Sequence, residues 1–208
     1  TGLAVTKFLE SIRSYNSKIK FYQASSSEMY GNNNFSVQTE KTTFMPASPY
    51  AVSKLYSHWI TNVYRKSYKM FTVSGILFNH ESPLRGMEFV SRKISNGVAE
   101  IALGLKKELV LGNLKSKRDW GYAKEYMEAI HLMLQQDKPE DFVISTGEAY
   151  SVSHFAKLAF ETVGLNWKKY VKTDRRFMRP SEVNYLCGDS KKAKIKLGWK
   201  SKISFEEL

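Results

Sequence analysis

A single cysteine, Cys187, in 208 residues excludes an internal disulfide framework and fits a reducing compartment. No uncharged apolar stretch reaches the roughly 18 residues that would suggest a membrane span, so no membrane partner is expected. No basic, apolar and small-residue pattern opens the chain, which argues against a secretory signal and for a cytoplasmic location. His58, His131 and His154 show no metal-ligand spacing, and no metal site is expected. Internal repeats and low-complexity linkers are absent too. What is present is ordinary: 42% hydrophobic and 25% charged residues place the chain among globular proteins. Its length suits one sizeable core or two small ones.

The formal charge of +12 raises the question of an anionic partner. Residues 1–104 hold 12 basic and 6 acidic side chains, and residues 105–208 hold 20 and 14. With no basic tail, nucleic acid is not the expected partner. Lys106-Lys107, Lys168-Lys169, Arg175-Arg176 and Lys191-Lys192 read as solvated faces. A phosphate-bearing small molecule would need only a few of these charges.

Hydrophobic spacing predicts a helix over 1–15, then a strand over 20–25 that ends at Ser25-Ser26-Ser27. Gly31 and the asparagines after it mark a loop. Pro49 suits the first turn of a helix running to about Tyr68. The apolar run from Phe71 to Asn79 reads as a strand buried on both faces. Beyond it, helices are predicted over 89–103, 122–136, 151–163 and 190–197, with Ser151 as an N-cap and Gly164 and Gly198 as stops. Strands are predicted over 108–112, 141–146, 170–173 and 182–186, and Phe205 to Leu208 as the first turn of a further helix. The alternation argues for an α/β architecture with a mostly parallel sheet.

Within that frame the most informative pair is Tyr50 and Lys54. Residues i and i+4 of a helix share a face, so the lysine ammonium can stand beside the phenol. An ordinary tyrosine titrates near ~10 and is a poor base; a neighbouring cation favours its phenolate. The preceding serine cluster and Glu28 add a hydroxyl and a carboxylate to the same neighbourhood.

Those residues, with Gly75-Ile76-Leu77-Phe78-Asn79-His80-Glu81-Ser82-Pro83, resemble the extended short-chain dehydrogenase/reductases. Further blocks narrow the likeness to the GDP-mannose 4,6-dehydratase family. They are Phe21 to Ser25 with Glu28 and Tyr30-Gly31, Gly112-Asn113 with Lys117 to Gly121, Pro139 to Ile144, and Arg179-Pro180 with Glu182-Val183. The resemblance implies a Rossmann-type domain with a smaller C-terminal substrate-binding domain. It assigns 1–82, with 121–146 returning, to the NADP-binding part and 83–120 with 147–208 to the substrate part. The family's glycine-rich phosphate loop has no counterpart here, so by resemblance about the first third of the enzyme is missing, only a partial Rossmann sheet is expected, and weak NADP affinity follows.

The implied reaction is an internal redox dehydration of GDP-mannose with NADP. Tyr50 takes the C4 hydroxyl proton as hydride leaves C4, Glu28 removes the C5 proton as water leaves C6, and hydride returns to C6. Ser26 stands where the family usually has threonine and would orient the C4 oxygen. Lys54 would also bond the nicotinamide ribose, and His80 and Arg85 match positions that contact the cofactor. Asn79, Lys93, Arg118, Arg179 and Glu182 would hold the substrate, the arginines by charge-assisted forks to diphosphate. Family members form dimers and tetramers, so a homo-oligomer is expected. Leu84 replaces an arginine of the family pattern, Tyr122 a histidine and Glu125 an aspartate. Two other readings stay open: a sugar-nucleotide epimerase, and a catalytically incomplete fragment acting as a binding module or completed by another chain.

Overall fold

The computed structural model describes residues 2–32, 37–178 and 181–208. In chain order come α1 (Gly2–Asn16), β1 (Phe21–Ser26), α2 (Pro49–Tyr68), β2 (Thr72–Leu77), β3 (Asn79–Glu81) and α3 (Val90–Ala102). Next are β4 (Leu109–Leu111), β5 (Lys117–Arg118), β6 (Trp120–Tyr122), α4 (Ala123–Gln135) and β7 (Asp141–Ile144). The chain closes with β8 (Tyr150–Ser151), α5 (Val152–Glu161), α6 (Trp167–Tyr170), β9 (Val171–Thr173), β10 (Tyr185–Leu186) and α7 (Lys191–Leu197).

The helix starts follow local chemistry. The Ser48 hydroxyl accepts from the Ala51 N–H at 3.1 Å, ahead of Pro49 at the first helical position of α2. Ser151 does the same for the His154 N–H at the start of α5. Gly198 ends α7 in the left-handed region, where a side chain would cost conformational energy.

β1, β2 and β7 form a parallel sheet in the order β1-β2-β7, with Ser25 opposite Ile76 and Ile76 opposite Val143. Its two faces differ in chemistry. Val73, Leu77, Phe142 and Ile144 pack against Ala129 and Met133 of α4, Ala193 and Leu197 of α7, and Trp199. The α2 side is polar: Ser57, His58, Thr61 and Asn62 are buried over Gln23, Ser25, Thr72 and Ser74. Hydrogen bonds hold that seam, including Thr72 Oγ1 to the Thr61 carbonyl and Asn62 Nδ2 to Asp141.

The apolar run after α2 is not one strand. β2 ends at Leu77, Phe78 still donates its N–H to Ile144, and β3 then leaves the sheet to pair with β6. This step carries the chain from the first core into a second. There Ile94, Val98, Leu109, Leu111, Trp120, Val152, Phe160 and Phe205 pack together, flanked by β4–β9 and by the small sheet β10-β5-β8. The expected strand start at Tyr170 is instead the end of α6. At the C-terminus the expected first helical turn closes as a capping box: Glu207 accepts from the Ser204 N–H, and Ser204 accepts from the Glu207 N–H.

Candidate active site

β1 delivers the serine cluster to the carboxyl end of the parallel sheet, where open α/β folds place their ligands. The chain then tightens into a 3-10 turn over Ser27–Tyr30, a feature the sequence pattern did not announce. Ser26 caps this turn, its hydroxyl accepting from the Glu28 N–H at 3.2 Å. Gly31 ends it with φ +56°, donating its N–H to the Glu28 carbonyl. A Cβ at Gly31 would stand 1.7 Å from the Met45 carbonyl oxygen, so only glycine fits this close approach. Glu28 is thereby fixed between two backbone anchors.

α2 supplies the second half of the site. The Lys54 ammonium donates to the Ala24 carbonyl at 2.9 Å and lies 5.7 Å from the centre of the Tyr50 ring. Burial lowers the Lys54 pKa from the usual lysine range. Tyr50 itself is 52% exposed, so its ring faces open space rather than core.

Ser26, Glu28, Tyr50, Lys54, Asn79, His80 and Arg85 all line one cavity of about 620 Å³. A neighbouring cavity of about 270 Å³ is lined by Asn79, Lys93, Arg118 and Glu182, with Asn113 and Phe177. Glu28, Asn79, Arg85 and Phe89 border both. Ten of the eleven site residues expected from the sequence thus surround two adjoining cavities. Arg179 lies outside the described residues.

Their individual settings differ. His80 donates Nδ1–H to the Phe78 carbonyl at 2.8 Å and stacks on Tyr126, which fixes its ring plane at the cavity wall. Arg85 is committed locally: its Nε is 3.0 Å from Glu81 and its guanidinium lies 3.5 Å over the Phe89 ring. The Glu81 carboxylate also accepts from Ser91 at 2.6 Å, tying the loop after β3 to α3. The Lys93 ammonium sits 3.9 Å over the Phe177 ring, and burial, then Lys106, lowers its pKa. Arg118 is buried, donates to the Lys117 carbonyl at 2.9 Å, and places its Nε 3.9 Å from Glu28.

Three buried groups support this arrangement although the sequence assigned none of them a part in the site. Asp119 is fully buried and accepts from the Thr146 N–H and hydroxyl at 2.8 Å, the Gly147 N–H at 3.0 Å and the Gly188 N–H at 3.3 Å. Burial outweighs these donors and pushes its pKa up to about 6. Glu125, a departure from the family pattern, holds the segment after Trp199 by accepting from Ser201, Lys202 and Ile203. His58 is buried between Ser25 and Asp141. The signal for Asp119 was its place inside a matched block; the other two depend on partners far along the chain. Trp120 and Trp199 are buried, whereas Trp59 is 51% exposed.

Comparison with known proteins follows the same lines. A family model described as GDP-mannose 4,6 dehydratase matches residues 1–208. GDP-mannose 4,6 dehydratase 1 of Arabidopsis thaliana is 50% identical over 206 residues, covering 97% of this chain and 57% of that protein. The GDP-mannose 4,6 dehydratase of Homo sapiens is 46% identical over 226 residues, covering 100% and 61%. The chain therefore spans little more than half the length of these relatives. Among solved structures, dTDP-glucose 4,6-dehydratase from Bacillus anthracis in complex with NAD superposes with a TM-score of 0.86 at 24% identity, over 98% of this chain and 63% of that one. RMD from Pseudomonas aeruginosa complexed with NADPH gives 0.88 at 20% identity, over 99% and 69%. These likenesses show the Rossmann-type fold.

Proposed function

The chain belongs to the GDP-mannose 4,6-dehydratase family, and from that premise we propose that it is a sugar-nucleotide dehydratase forming GDP-4-keto-6-deoxymannose from GDP-mannose. One observation carries the reading: Glu28 and Tyr50, from separate elements, line one cavity together with Ser26 and Lys54.

In this proposal Ser26 orients the C4 oxygen and Tyr50 accepts its proton, with the Lys54 ammonium supplying the cation a phenolate needs. The Lys54 group uses one N–H on Ala24, leaving donors for ribose hydroxyls in the same cavity. That position, beside Tyr50 and His80, fits the nicotinamide end of NADP. Held beside Tyr50, Lys54 and His80, NADP would supply hydride acceptance at C4 and hydride donation at C6. Glu28 removes the C5 proton, acidified by the adjacent ketone, and passes it to the departing C6 hydroxyl. Tyr50 then gives its proton to C5. The substrate loses one water, and both side chains end as they began.

Arg85 fits a cofactor clamp less well than the sequence suggested, because Glu81 and Phe89 already hold it. We read it as the brace of the wall between the two cavities. Asn79, Lys93, Arg118 and Glu182 surround the smaller cavity, which suits the nucleotide portion. Arg179 stays a proposed diphosphate contact on its family motif. The division into 1–82 with 121–146 for the cofactor, and 83–120 with 147–208 for the substrate, belongs to the same proposal. So do a cytoplasmic location and a homo-oligomer, the second supported by the exposed apolar Leu3, Phe8, Val52, Tyr56 and Val63 of α1 and α2.

Incubation with GDP-mannose and NADP tests the reading. A keto-sugar nucleotide is expected; an epimerised hexose would place the chain with the epimerases instead. A second reading, a catalytically incomplete module, is favoured by β1 standing at the edge of the described three-stranded sheet. It requires weak binding of NADPH, and a micromolar dissociation constant in calorimetry would exclude it.

A further inference from the structure

α2 grips the tip of β1 at two successive turns. Lys54 holds the Ala24 carbonyl at 2.9 Å, and His58, four residues on, pairs its Nδ1 with the buried Ser25 hydroxyl at 3.0 Å. Tyr50, Lys54 and His58 follow one another at four-residue spacing, so they share a face of the helix. The far side of the imidazole is fixed as well: Nε2 lies 4.0 Å from Asp141, the first residue of β7. Asp141 is in turn held by Arg65 and by Asn62. The rings of Phe44 and Trp59 stand edge-on to the histidine at 5.2 and 5.4 Å.

We propose that His58 is a positioning residue for the dehydratase site: through Ser25 it sets the strand tip that carries Ser26 and Glu28 against Tyr50 and Lys54, and its protonation disturbs that setting. The inference rests on the function proposed above. It assigns a task to a buried imidazole that the reaction itself does not use.

The surroundings favour one neutral tautomer. With Asp141 facing Nε2, that nitrogen carries the proton, and Nδ1 accepts from the Ser25 hydroxyl. Taking up a second proton puts a hydrogen on Nδ1, so the Ser25 bond must reverse. The Ser25 hydroxyl then turns at the base of the tip from which Glu28 hangs. Burial opposes this protonation and lowers the His58 pKa; Asp141 favours it and Arg65 opposes it. Glu40, Lys41 and Lys66 complete the charged surroundings, lining with His58 and Asp141 a cavity of about 500 Å³ that shares no lining residue with the two site cavities.

The test uses the full chain. Nitrogen-15 imidazole spectra are expected to show His58 as the Nε2–H tautomer, titrating below an ordinary histidine, and lower still in Asp141→Asn. In Ser25→Ala the Nδ1 shift should move, because its donor is gone. With GDP-mannose and NADP, His58→Phe should lower kcat on the order of 10- to 100-fold with KM little changed, the scale of a small misplacement of reacting groups. His58→Asn, whose amide can replace the Nδ1 contact, should recover much of that loss. It should also lack the acid-side ionisation seen in the wild-type pH profile. An Nδ1–H tautomer, or a His58→Phe protein with unaltered kcat and an unaltered acid limb, overturns the proposal. If the wild-type chain makes no keto sugar, the function proposed above fails; the spectra still decide the Ser25–His58–Asp141 arrangement by themselves.

Discussion

The Glu28 carboxylate stands 3.9 Å from Nε of Arg118, joining the strand tip of the first core to β5 of the second unit. The expected proton acceptor and an expected diphosphate ligand are therefore electrostatic neighbours. Residues in such contact do not act independently. Glu28→Gln and Arg118→Ala are expected to be non-additive in kcat/KM, with a coupling of about 0.5–3 kcal/mol. Kinetics on the four proteins of the cycle measure it, and purely additive losses would separate the two roles.

Gly31→Ala should be among the most damaging small substitutions. The new Cβ meets the Met45 carbonyl at 1.7 Å in a backbone conformation that disfavours side chains. Overpacking against backbone and the positive φ together are expected to cost more than about 2 kcal/mol. Urea unfolding reads the loss. Activity should fall further than stability, because the turn ended by Gly31 carries Glu28.

Lys54→Met removes both the cation beside Tyr50 and the latch on the Ala24 carbonyl. The activity loss is expected at about 100-fold or more, the scale of impaired acid–base catalysis. The stability loss should be only about 1 kcal/mol, that of one hydrogen bond. A thermal melt beside an activity assay separates the two.

Asp119 offers a pH test. Its carboxyl is raised from the usual 3.8 to about 6 because burial dominates over its four donors. A group whose folded pKa lies above its unfolded one binds protons preferentially in the folded state. Its contribution is thus fully present below about pH 3.8 and is lost as pH rises through about 6. Wild type should lose stability across that window relative to Asp119→Asn, which does not titrate. Asp119→Ala should be worse than either near neutral pH, since it strands the buried Gly147 and Gly188 N–H groups.

What the sequence disclosed was local. Pro49 announces α2, four-residue spacing places Lys54 beside Tyr50, and the unbroken apolar run marks a doubly buried strand. What it hid depends on distant register. β5, β8 and β10 have two residues each and exist only because three remote segments meet. The split of the apolar run at Phe78 requires β6 to be in place. Arg85 looked available to a cofactor because the four-residue spacing of Glu81, Arg85 and Phe89 implies contact on a helix, whereas Arg85 stands in a loop. His58 drew notice only for lacking metal-ligand spacing, since Ser25 and Asp141 approach it only when α2 lies across the sheet.

Division of labour between Tyr50 and Glu28 in their common cavity is best tested by following reduced cofactor and keto sugar together, with GDP-mannose and NADP, in three proteins. Wild type should yield the keto sugar. Glu28→Gln should reduce the cofactor but release product at least about 100-fold more slowly, and Tyr50→Phe should do neither. A Glu28→Gln protein that releases keto sugar at the wild-type rate would contradict the assignment.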